Sequence, residues 1–156
     1  MLAAVPADGI APASGDGMKM SSHEGAAIRT RILIVDDHYV MRRGLCELLN
    51  QRPDFSVGAA VANAQQALEV ARQEPFDLAI VDISLGEIDG IELTGRLKSE
   101  NPNLVVLILS MHDEALYGTR AAGAGASGFV AKQHAGEMLL PAIDCVLRGE
   151  YHFSHL

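Results

Sequence analysis

The 156-residue chain is 49% apolar with a formal net charge of −8, a composition that supports one domain with its own core and excludes the disordered class. The acidic balance argues against a nucleic-acid surface on this chain, because such surfaces are basic. No apolar run approaches the roughly 20 residues that cross a bilayer, so no membrane partner is expected.

Residues 1–29 are rich in Ala, Gly, Pro, Ser and Asp, with no sustained period. They are expected to form a disordered extension, with Met18 and Met20 as alternative starts. No charged stretch followed by an apolar one marks a signal peptide. Cys46 and Cys145 lack metal-ligand spacing. They read as small buried or half-buried residues in a reducing cytoplasm, the expected location.

A regular pattern begins at Arg31. Residues 32–35 form a continuous apolar run, as in a strand buried on both faces. Helix one follows, with Met41, Leu45, Leu48 and Leu49 on one stripe, and ends before Pro53. Strand two alternates Phe55, Val57, Ala59 and Val61 against Ser56, Gly58 and Ala60, which predicts an edge strand with one wetter face. Asn63 with Gln66 makes a capping box for helix two.

Strand three covers 78–82, and Asp89 with Glu92 opens helix three, which Asn101-Pro102-Asn103 breaks. Strand four covers 104–109. Helix four, over about 113–122, contains Gly118 and ends in the turn Gly123-Ala124-Gly125. Its small residues fit either a mobile element or a closely packed one. Strand five covers 128–131. Helix five carries Met138, Leu139, Ala142, Ile143, Val146 and Leu147, with Pro141 inside it, and stops near Gly149. Five β-α repeats predict a doubly wound, flavodoxin-like α/β fold with a parallel sheet of order 2-1-3-4-5.

Four of these strands run into reactive polar residues: Asp36 and Asp37, Asp82, Ser110, and Lys132. In an open parallel sheet such ends share the carboxyl edge, where ligands bind. Three carboxylates brought together retain a proton or bind a cation. An incomplete oxygen cage suits Mg²⁺ (or Mn²⁺). Lys132 supplies a point charge for a phosphoryl oxygen, and Ser110 a short hydroxyl. Asp82 then becomes the natural nucleophile beside a metal, doing chemistry that depends on position and charge. Singly, each residue reads as a helix cap, a turn or a surface group; the joint pattern carries the argument.

The run from Ile32 to Asp37 followed by His38, Asp82 with Asp89-Gly90, Ser110, Gly123-Ala124, and Gly128-Phe129-Val130-Ala131-Lys132 resembles a response-regulator receiver domain. Asp36-Asp37-His38 and the tail from Arg148 to Ser154 resemble the NarL/FixJ type, in which a receiver precedes a LuxR-like helix-turn-helix domain. The resemblance implies a receiver over 30–150. It also implies that 151–156 begin a linker to a DNA-binding domain outside this chain.

It further implies that Asp82 accepts a phosphoryl group from a sensor histidine kinase. Asp36, Asp37, Asp82 and the Ser84 backbone carbonyl would hold Mg²⁺, and Ser110 and Lys132 would contact the phosphoryl oxygens. Ser110 and Phe129 would form the switch, Phe129 turning inward as the hydroxyl moves. His38, Tyr39, Arg42, Gln133 and His134 would form the kinase-docking rim. Such a protein is a phosphoacceptor that assists its own phosphorylation and dephosphorylation, not an enzyme acting on a separate substrate. Receivers of this kind dimerise on activation, through helices one and five or the face between helices four and five. Ser84 and His112 occupy positions that tune dephosphorylation.

Two departures stand out: Gly86 where the family usually has Pro, and Pro141 in helix five. A stand-alone receiver, serving as a phosphorelay shuttle or protein-binding switch, is the alternative. A small haloacid-dehalogenase-like phosphatase would need Asp-x-Asp after strand one, but His38 and Tyr39 stand at those spacings. A flavodoxin-like electron carrier would need a phosphate-cradling loop there, and two carboxylates would repel a flavin phosphate.

Overall fold

The computed structural model describes residues 28–154; the expected extension at 1–27 and residues 155–156 lie outside the described residues. Strands β1 (Thr30–Val35), β2 (Phe55–Val61), β3 (Leu78–Val81), β4 (Val105–Ser110) and β5 (Gly128–Ala131) form one parallel sheet of order β2-β1-β3-β4-β5. Between and after them run α1 (Tyr39–Leu49), α2 (Ala64–Gln73), α3 (Gly90–Glu100), α4 (Glu114–Ala124) and α5 (Ala135–Leu147). A short 3₁₀ turn, Lys132–His134, leads into α5.

Alternate residues of the central strands supply two cores. Leu33, Val35, Val81 and Ile108 face α2, α3 and α4 through Leu68, Leu93 and Ala121. Ile32, Ile34, Ile80 and Leu109 face α1 and α5 through Leu45, Leu49, Leu139 and Ile143. Each fully buried large aliphatic contributes about 1.5–3 kcal/mol. This explains why the inner strands read as unbroken apolar runs.

Strand β2 is at the edge, as its alternation predicted, but the alternation does not hold along one face. The register with β1 passes from Ile32↔Val57 to Leu33↔Ala59, so Gly58 is an extra, bulged residue. Phe55 and Val57 therefore face the α1/α5 side, while Ala59 and Val61 face the other. A Cβ on Gly58 would lie 2.8 Å from the Phe76 ring and 2.5 Å from the Arg31 guanidinium, so the bulge needs a residue without one.

The caps follow the sequence closely. Asn63 Oδ1 accepts the Gln66 N–H at 2.9 Å, and Gln66 Oε1 accepts the Ala62 N–H at 3.0 Å. Asp89 Oδ1 accepts the Glu92 N–H at 2.8 Å, and Asp113 Oδ1 the Ala115 N–H at 3.0 Å. Strand β3 stops one residue short of Asp82, and β4 extends to Ser110. Helix α4 absorbs Gly123 and Ala124 and ends at Gly125, whose φ is 111°. Its buried residues are Gly118 and Ala121, the closely packed small-residue arrangement. Helix α5 continues through Pro141, which lies on its exposed side.

The tail lies against the domain. Phe129 N–H donates to the His152 carbonyl and His152 N–H to the Ser127 carbonyl, both at 2.9 Å. They place His152 as a parallel bridge to Gly128 on the free edge of β5. Phe153 packs on the α2/α3/α4 core.

Candidate functional site

The sheet register brings the acidic residues together. Val35 pairs with Val81, so the residues that follow, Asp36 and Asp82, leave neighbouring strands at one level. Ser110, the last residue of β4, pairs with Ala131 of β5, and Lys132 follows directly. Asp36, Asp82, Ser110 and Lys132 are all buried; apart from Thr94, they are the buried polar side chains among the described residues. Thr94 is accounted for by a bond from its hydroxyl to the Gly90 carbonyl at 2.7 Å.

Lys132 Nζ lies 2.8 Å from Asp36 Oδ2 and 3.1 Å from Asp82 Oδ2. Burial alone would lower the lysine's pKa, but its bonds to the two carboxylates outweigh this and hold it above its usual value. The Asp82 carboxyl is raised, first by burial. The nearby Asp36 charge adds to the rise, and together they outweigh the bond from Lys132. Ionising Asp82 is thus opposed by burial and by Asp36, and Lys132 compensates only in part.

Asp37 is half-exposed at the rim. Between the two adjacent aspartates stands His38, its Nδ1 3.2 Å from Asp36 Oδ1 and 3.1 Å from Asp37 Oδ1. Ligand atoms of Asp36, Asp37, His38 and Asp82 all fall within 4.8 Å of one another. Three ionised carboxylates against one buried ammonium leave an excess of negative charge that a divalent cation would neutralise, so the donor set fits a hard metal ion.

The mouth of the pocket is formed by two loops. Ser84 Oγ and His112 Nε2 are 2.7 Å apart, and the Ser110 hydroxyl accepts the His112 backbone N–H at 3.0 Å. The His112 ring packs on Tyr117, with centroids 4.9 Å apart. Gly86, in the loop after β3, has φ of 102°, a conformation closed to proline. Behind the pocket, Gly90 N–H donates to the Ile83 carbonyl at 2.8 Å. A Cβ on Gly90 would lie 2.0 Å from the Asp82 carbonyl oxygen.

The other sequence-predicted residues are distributed around this pocket. Phe129 is buried at 2% exposure, in the α2/α3/α4 core. His38 and Tyr39 are exposed at the start of α1, and Gln133 and His134 are exposed in the 3₁₀ turn. Arg42 instead turns inward, its guanidinium donating to the Asp36 carbonyl at 2.7 Å. Gln133 and His134 line a groove of about 610 Å³ beside β5, with Met111, Met138 and His152. Sequence reasoning placed His38 on the rim and did not see its ring among the carboxylates. Its adjacency to Asp36 and Asp37 was the available signal.

A parallel five-stranded sheet with carboxylates, hydroxyl and ammonium converging at its carboxyl edge defines a doubly wound α/β module with a polar site at that edge. Residues 32–144 match the response regulator receiver domain model, and the chain belongs to that family. A solved two-component response regulator of the LuxR family from Aurantimonas sp. is 33% identical. It covers 80% of this chain and 89% of its own, with a TM-score of 0.76; the LuxR/NarL type is therefore the relevant branch.

A Pseudomonas aeruginosa protein named as a transcriptional regulator is 41% identical over 80% of this chain and 59% of its own length. The transcriptional regulatory protein DegU of Brevibacillus brevis is 32% identical over 78% of this chain and 51% of its own. The chain thus spans between half and three fifths of these curated relatives. No helix among the described residues is long and apolar enough to cross a membrane.

Proposed function

We propose that this receiver takes a phosphoryl group onto Asp82 from a phosphohistidine of a sensor histidine kinase and uses the change to control an output. The observation that carries the reading is the placement of Asp82. It is buried, 3.1 Å from Lys132, beside Asp36, with its pKa raised by that burial. An Asp82 carboxylate oxygen attacks phosphorus while the phosphorus–nitrogen bond breaks, and the donor imidazole leaves with the bond's electron pair. Lys132 and the Ser110 hydroxyl then hold the transferred oxygens. Asp36, Asp37, Asp82 and the Ser84 carbonyl would hold Mg²⁺, which when bound supplies the charge that offsets the incoming phosphoryl group.

Ser110 and Phe129 form the switch in this reading. They stand on neighbouring strands at the site's edge, so motion of the hydroxyl toward a phosphoryl group is felt by the strand that carries the aromatic. The rim of His38, Tyr39, Gln133 and His134 receives the kinase. Arg42 supports that rim through its bond to Asp36. We take 30–150 as the receiver and 151–156 as the start of a connection to a LuxR-type DNA-binding domain, with transcription as the output. Dimerisation on phosphorylation, in the cytoplasm, completes the reading.

The test is intact-protein mass after incubation with Mg²⁺ and acetyl phosphate, for wild type and Asp82→Asn. One labile phosphoryl adduct on wild type, absent from the variant and abolished by EDTA, is the expected result. No adduct from acetyl phosphate or from phosphorylated kinases would overturn it.

A further inference from the structure

We infer that His38 is a ligand of the cation site and biases it toward divalent transition ions, of the Mn²⁺ and Zn²⁺ class, over Mg²⁺. This rests on reading the acidic pocket as a cation site. It goes further in naming a nitrogen donor and the metal class that follows from it.

The two oxygens of Asp36 face different partners. Oδ2 lies 2.8 Å from the Lys132 ammonium as an ion pair but has no hydrogen-bond partner among the described residues, whereas Oδ1 accepts the His38 N–H. An ion that engages Asp36 through Oδ1 meets His38 there. The imidazole Nδ1 stands 3.2 Å from that oxygen and 3.1 Å from Asp37 Oδ1. An octahedral ion with bonds of about 2.1 Å sets adjacent ligands about 3.0 Å apart. The imidazole nitrogen is thus already spaced from each carboxylate oxygen as a neighbouring ligand of one ion would be.

The root of the side chain is held beside the carboxylates. His38 is the residue that starts α1, yet its side chain makes no capping bond. Its backbone N–H donates to Asp36 Oδ1 at 2.8 Å, which fixes the root of the side chain against the carboxylate. The ring itself is 63% exposed, so it can adjust to an ion without disturbing the core. Carboxylates and carbonyls alone suit Mg²⁺, whereas imidazole in place of a water favours Mn²⁺ and, more strongly, Zn²⁺.

The test uses the whole chain and Mn²⁺, comparing wild type with His38→Ser, which keeps a good helix-starting residue but removes the ring. Pulsed electron paramagnetic resonance of the Mn²⁺-loaded wild type should show nitrogen coupling from a bound imidazole. The coupling should vanish in His38→Ser while Mn²⁺ still binds. Competition of Mg²⁺ against Mn²⁺ should show the preference for Mn²⁺ falling about tenfold or more in the variant. Mn²⁺ bound to wild type without nitrogen coupling would overturn the role of His38 and leave the cation pocket intact. Coupling that survives in His38→Ser would belong to another histidine, and His38 would again lose its role while the pocket kept its own. Failure of wild type to bind either ion would overturn both readings.

Discussion

The Ser84 hydroxyl and His112 Nε2 meet at 2.7 Å, joining the loop after β3 to the loop after β4 across the mouth of the acidic pocket. Each residue sits two positions beyond a site residue, Asp82 and Ser110. The bond therefore ties together the loops that follow Asp82 and Ser110. Removing either partner is expected to destabilise the unmodified chain by about 0.5–1.5 kcal/mol. Because His112 also packs on Tyr117, His112→Ala should lose more than Ser84→Ala, and the double variant should lose about as much as His112→Ala alone. Urea unfolding of the three, read as a double-mutant cycle, checks this; fully additive losses would show that the two residues act separately.

Asp82 makes the chain's stability depend on pH in a direction opposite to that of a carboxylate whose pKa is lowered on folding. Burial, and then the Asp36 charge, raise its pKa in the folded state. The unfolded chain gives up that proton first, so stability falls as pH rises from the usual carboxylate value toward the raised one. Asp82→Asn removes the charge and should be more stable than wild type at neutral pH. The difference should shrink as pH drops through the usual carboxylate range. Thermal melts of both proteins from about pH 3.5 to 7.5 measure it, and saturating Mg²⁺ should narrow the gap at neutral pH by favouring the ionised wild type.

Two glycines of α3 should respond in opposite ways to alanine. A Cβ on Gly90 would meet the Asp82 carbonyl at 2.0 Å, whereas nothing lies within 4 Å of one on Gly95. Gly90→Ala must push the Asp82 backbone aside and should cost about 1–3 kcal/mol or more, and lower acetyl phosphate labelling with it. Gly95→Ala should stabilise by about 0.5–1 kcal/mol with phosphorylation unchanged. Denaturant midpoints and adduct formation on the two variants provide the comparison.

The tail makes a similar prediction at the sheet edge. His152 exchanges two backbone bonds with Ser127 and Phe129, and Phe153 covers part of the core. A chain ending at Gly149 should be less stable by about 2–3 kcal/mol. With the edge of β5 bare it should also self-associate more readily, which sedimentation at several concentrations would show.

Much of the fold was legible in the sequence because it rests on local patterns. The inner strands announce themselves as apolar runs, the caps as Asn63 and Asp89, and the pocket as polar residues ending four strands. What was not legible depended on contacts between distant segments. Alternation in β2 could not show that Gly58 is bulged, since the bulge is fixed by Arg31 and Phe76 packing over it. The meeting of Ser84 with His112, the inward turn of Arg42 and the docking of His152 on β5 are likewise set by tertiary neighbours. For Gly90, the motif was visible, but its reason, the close passage of the Asp82 backbone, was not.

Gly86 limits which parts of this chain can be exchanged with those of its relatives. The loop after β3 turns there at a φ of 102°, while the proline usual in receivers is confined to about −65°. The two residues therefore belong to two different backbone paths, and neither can be transplanted alone. A graft that respects this has to carry the whole segment between Asp82 and Asp89, so that donor turn and donor flanks arrive together. Ser84 travels inside that segment, and with it one end of the link to His112. The loop is thus a cassette: its turn and its tie to the opposite loop are inherited as one unit.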